Sequence, residues 1–110
     1  MQDLDITPKM ATVLKVFLEA PDQPRYGFEL MKLTGMASGS LYPMLARLEK
    51  AGWLDRGKED IDPRAAGRPA RTHYVITGAA ASAARVQLAE LSERYRPPVP
   101  GRLRPQGGTA

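Results

Sequence analysis

The sequence predicts a mainly α fold with a β-hairpin: three short helices, two antiparallel strands and a closing helix. Three observations predict it. Apolar residues recur at i, i+3, i+4 spacing in three blocks before Gly52, the period of a helix with one buried face. Two blocks rich in aromatic and β-branched residues, 53–58 and 71–77, follow it and read as strands. An alanine-rich run then begins at Thr77 and has high helix propensity. The chain has 110 residues, enough for one core that buries roughly 60–70% of the unfolded surface.

Thr7-Pro8 opens the first helix, with a capping hydroxyl and a proline at the first helical position, where a missing N–H costs nothing. Met10, Val13, Leu14, Phe17 and Leu18 form its buried stripe, and Ala20-Pro21-Asp22-Gln23-Pro24 stops it. The second helix starts at Tyr26-Gly27, carries Phe28, Leu30, Met31 and Leu33, and closes at Gly35. The third runs within 38–52. Leu41, Met44, Leu45 and Leu48 make its apolar stripe, while Ser40, Ala46, Arg47 and Lys50 point the other way. Counting Ser40 as its cap puts Pro43 in the first turn.

The strands Trp53–Lys58 and Arg71–Thr77 flank a loop, 59–70, long enough for its tip to be mobile. The last helix spans about 79–95 and aligns Ala81, Ala84, Leu88, Leu91 and Tyr95 on one side. Residues 97–110 hold Pro, Gly and Arg with little apolar surface, which predicts a disordered tail.

Composition narrows the function. A net charge of +4 suits a polyanion partner, and the absence of cysteine removes disulfides and thiolate zinc sites. The single histidine, His73, reads as a strand residue, and no metal or cofactor is expected. Asp55, Glu59, Asp60 and Asp62 lack the spaced ligands of a calcium loop and read as a solvated turn. No apolar run approaches the ~20 residues of a membrane span, and no basic leader is evident, so a cytoplasmic location is expected. No nucleophile–base pair or phosphate-binding glycine loop suggests an enzyme.

Three helices followed by a hairpin form the winged helix-turn-helix arrangement, in which the third helix enters a DNA major groove about 12 Å wide. On this reading residues 1–76 are the DNA-binding domain and 77–96 a dimerisation helix. The DNA-facing candidates are Ser38, Ser40, Arg47 and Lys50 on the third helix, with Arg64, Arg68 and Arg71 on the acid-free second half of the loop. Tyr42 flanks the outer face, its ring placed to pack or its hydroxyl to touch a phosphate. Trp53 and Tyr74 read as core. Ala84, Leu88, Leu91 and Tyr95 are expected at the seam between two copies.

The blocks Tyr26-Gly27-Phe28-Glu29-Leu30, Gly39-Ser40-Leu41-Tyr42-Pro43-Met44-Leu45-Ala46-Arg47-Leu48-Glu49-Lys50-Ala51-Gly52, and Arg71 with Tyr74-Val75-Ile76-Thr77 resemble the signature of PadR-type transcriptional regulators. The resemblance covers residues 7–95. It implies a homodimeric repressor of the branch with one short C-terminal helix, acting on double-stranded DNA and released by a small-molecule effector. Gly78-Ala79-Ala80 stands where that pattern has Glu-Glu-Gly, and the terminal helix lacks the tryptophan some relatives use to bind flat drugs. A competing reading is a winged-helix adaptor whose basic face meets an acidic protein.

Overall fold

The computed structural model describes residues 1–101. Its elements are α1 (Pro8–Glu19), β1 (Arg25–Tyr26), α2 (Gly27–Thr34), α3 (Ser38–Lys50), β2 (Leu54–Lys58), α4 (Pro63–Ala66), β3 (Thr72–Ile76) and α5 (Gly78–Arg94). Thr7 caps α1 through the Met10 N–H, with Pro8 in the first turn. Thr77 caps α5 through the Ala80 N–H, so the Gly78-Ala79-Ala80 departure leaves the cap in place.

The core lies between α1, α2, α3 and the inner face of the sheet. Phe17, Leu30, Leu41, Leu45, Leu48 and Trp53 are fully buried there, joined by Tyr74 and Ile76 from β3 and by Ala80, Ala81 and Ala84 from α5. Trp53 also donates its indole N–H to the Gln2 carbonyl at 2.7 Å, so its one polar atom is satisfied. Of the stripes on α1 and α3, Leu18 and Met44 are half-buried; of the apolar residues on α2, Met31 is half-buried and Phe28 and Leu33 are exposed. A helix of eight residues has room for only a narrow inward face, and Leu30 occupies it.

The sheet has three strands in the order β1-β3-β2, not the two of a simple hairpin. Arg25 pairs with Tyr74 and Tyr26 with His73. This adds β1 to the free edge of β3 and ties the start of α2 to the hairpin. Arg25 is buried as well: Nη1 donates to Glu29 at 3.2 Å and Nη2 to the Val16 carbonyl at 3.1 Å, which joins the end of α1 to the first turn of α2. Burying a cation this way requires that pairing, because an unpaired buried charge is costly.

Two expectations about local structure need correction. The third helix begins at Ser38 with Ala37 as its cap, so Ser40 does not cap it and Pro43 lies inside the helix. The 59–70 loop, read without regular structure, also contains one helical turn. Asp62 accepts the Arg64 N–H, Pro63 opens one helical turn, and Gly67 closes it with φ +70°. Residues 102–110 of the expected tail lie outside the described residues.

Candidate nucleic-acid interface

The exit from α3 sets how the helix and the hairpin meet. Gly52, at φ +80°, gives its N–H to Glu49, and Trp53 gives its own to Leu48, the paired bonds that end a helix in a left-handed residue. The chain therefore turns at once from α3 into β2. Leu41, Leu45 and Leu48 face inward and are buried, while Ser38, Gly39, Ser40, Ala46, Arg47 and Lys50 are exposed. Among the described residues neither Arg47 nor Lys50 forms an ion pair. The outer face of α3 is thus small, hydroxylated and cationic.

Tyr42 stands on the flank of α3 nearest the sheet, 45% exposed. Its ring lies across the backbone of Gly27: a Cβ built on Gly27 would meet Tyr42 Cζ at 2.6 Å and Cε1 at 2.8 Å. Only glycine admits this approach without displacing the ring. The Tyr42 hydroxyl lies nearest of all to that Cβ position, so the two sequence blocks around Tyr26-Gly27 and Leu41-Tyr42-Pro43 touch in space through the hydroxyl end of the ring.

The hairpin distributes its arginines unequally. Arg64 sits exposed on α4. Arg71 lies with its guanidinium carbon 5.1 Å from the centre of the Phe28 ring, a cation–π contact that holds it beside α2. Arg68 is committed elsewhere. Its Nη1 and Nη2 reach the two oxygens of Glu59 at 2.7 and 3.2 Å, while the Arg71 N–H donates to the same carboxylate at 2.8 Å. The Arg68 hydrogen bonds first, and then that backbone N–H, hold the Glu59 carboxyl at about 2, below its ordinary 4.5. The basic half of the loop is acid-free in sequence but not in space: Arg68, expected at DNA, is paired with Glu59 within the chain.

The sequence reasoning passed over Arg56 and Lys58. Both lie on the sheet face that also carries Leu54, opposite Tyr74 and Thr72 across the ladder. Strand alternation from buried Leu54 carried that signal, placing both cations on the helix-facing side. Arg56 Nε lies 3.4 Å from Glu49 on α3, and Lys58 Nζ donates to Thr72 Oγ1 at 2.9 Å. Burial raises the Tyr74 phenol above its ordinary value, because Tyr74 forms the floor between these cations and the core.

At the other end of the chain, the expected seam residues separate. Ala84 is fully covered by its own core and offers no surface to a partner, which corrects its assignment. Leu88 and Leu91 are half-buried and Tyr95 is 74% exposed. Gln87 accepts the Ile6 N–H and donates to the Leu4 carbonyl, pinning the N-terminal segment against this half of α5.

The sequence profile of the transcriptional regulator PadR-like family matches residues 13–86. The chain belongs to that family. Comparison with curated proteins and with solved structures finds no significant match. Membership makes the chain a DNA-binding transcriptional regulator with a winged-helix fold, and the hairpin β2–β3 is its wing. The PadR match runs from α1 into α5 and stops before Leu88. No helix among the described residues is long and apolar enough to cross a membrane.

Proposed function

We propose that the chain is a repressor that binds an imperfect palindrome as a homodimer, with α3 in the major groove and the wing on the flanking minor groove. One observation carries this reading: the outer face of α3 is exposed along its length and its two cations form no ion pair among the described residues. In this reading residues 1–76 form the reading unit and 77–96 the pairing helix. Arg47 reads a base edge, Lys50, Ser38 and Ser40 hold phosphates, and Arg64 reaches the minor groove from the wing. Leu88, Leu91 and Tyr95 meet their counterparts in a second copy. Release by a small ligand is supported by the family resemblance, and action in the cytoplasm by that resemblance and by the sequence expectation above.

The test is selection of bound duplexes from random sequence, followed by base-by-base variation of the winner. Arg47→Ala should relax preference at one position at a cost of about 1–3 kcal/mol there. If no duplex is retarded and a single acidic protein is retained instead, the adaptor reading replaces this one.

A further inference from the structure

The inner face of the sheet does not end where the core ends. Its cross-strand pairs run outward from Leu54 and Ile76, which are buried, to Arg56 and Tyr74 and then to Lys58 and Thr72. Past the first pair this face borders an open cleft of about 440 Å³, whose other walls are Tyr42 on α3, Gly27 and Phe28 on α2, and Arg71. The cations Arg56 and Arg71 line it, with Lys58 at its edge on Thr72; Glu49 stands beside Arg56, and Glu59, already held by Arg68, beside Arg71. The Arg56–Glu49 contact is long at 3.4 Å, and its side chains are 58% and 36% exposed. Such a pair contributes about 0–1 kcal/mol and is readily exchanged. Thr72 Oγ1 accepts from Lys58, which leaves its own proton free to donate.

In a duplex the sugar–phosphate strand is the ridge between the two grooves. If α3 occupies the major groove and the wing the adjoining minor groove, that ridge passes between them, over this cleft. We propose that the cleft seats a backbone phosphate of the duplex, with Arg56 as its principal cation, Arg71 as the second, and the Thr72 hydroxyl as a donor. This assignment rests on the DNA-binding mode proposed above. It gives Arg56 a sequence-independent role, because a phosphate contact positions the protein without reading a base.

The experiment is a salt titration of binding to the duplex obtained by selection and to a mismatched one, with melting curves as the control for folding. Arg56→Gln should lower the log–log salt slope by about 0.9 per bound protomer and weaken both duplexes equally. Arg56→Lys should keep most of the slope. Glu49→Gln should tighten binding, since it removes the carboxylate that competes with the phosphate. If Arg56→Gln and Glu49→Gln weaken binding alike with the slope unchanged, Arg56 only braces α3 against β2 and the proposal is overturned. A loss confined to the selected duplex overturns it too, by making Arg56 a base reader. Retardation of the selected duplex by the unaltered protein keeps the DNA-binding reading alive in either case, whereas its absence removes both.

Discussion

Glu59 controls how much positive charge the wing presents. It stands at the end of β2, gives its N–H to the Arg71 carbonyl, and holds both Arg68 nitrogens on its carboxylate. One acid thus closes the base of the wing and pairs one of its arginines. Freeing that arginine in Glu59→Gln should steepen the salt slope of duplex binding by about 0.9 per protomer, whereas Arg68→Ala should leave the slope where it is. A salt titration of the two variants beside the unaltered protein reads both. A fall in slope for Arg68→Ala would mean that the clamp opens on DNA. The sign with pH follows from the depressed carboxyl: the contribution of the clamp is complete above the ordinary value of 4.5 and is lost as the pH falls toward 2. Nothing local in the sequence announces this pair, because its members are nine residues apart across a loop.

At the scale of elements, what was legible depended on whether a segment forms through its own residues. The helices α1, α2, α3 and α5 carry apolar residues at helical spacing in the sequence, with hydroxyl caps at Thr7 and Thr77 for α1 and α5 and glycine stops at Gly35 and Gly52 for α2 and α3, and the strands β2 and β3 carry β-branched and aromatic content. The two-residue strand β1 carries no such signal. It exists only because β3 offers an edge beside Arg25 and Tyr26, and two residues cannot show alternation. The one-turn α4 did carry its signal, Asp62-Pro63 before and Gly67 after, but in a loop these residues read equally well as breakers. Of the interface, the outer face of α3 was legible from periodicity, while Arg56 and the Glu59 clamp required the register of β2 on β3.

Pro43 is the element-scale anomaly. It lies in the interior of α3 on the exposed side, where it removes one backbone donor and lowers helix propensity. Pro43→Ala should therefore raise stability, by about 1–3 kcal/mol on the propensity scale, seen as a higher midpoint in denaturant at unchanged m-value. An unchanged or lower midpoint would show that the proline ring packs against Tyr42 or the preceding turn strongly enough to offset the lost bond.

At the scale of the whole molecule, α5 is shared between two environments. Its first turns place Ala80, Ala81 and Ala84 in the core of the domain, and small side chains let the helix approach closely. The same side then continues as Leu88, Leu91 and Tyr95, progressively less covered as the helix of about 25 Å leaves the domain. A stripe that begins inside its own core and ends in solvent has its last turns available for a second copy. Pairing them about a two-fold axis would present two α3 helices to half-sites about 34 Å apart or a multiple of it. Because each contact occurs twice in such a dimer, Leu91→Ala with Tyr95→Ala should cost about 4 kcal/mol or more, roughly a thousandfold in Kd. Val86→Ala, on the opposite side of the same helix and 59% exposed, should change nothing. Sedimentation of the three proteins across a concentration series reads the difference. A double variant that keeps the dimer mass would move the seam away from the end of α5, and with it the spacing expected between half-sites.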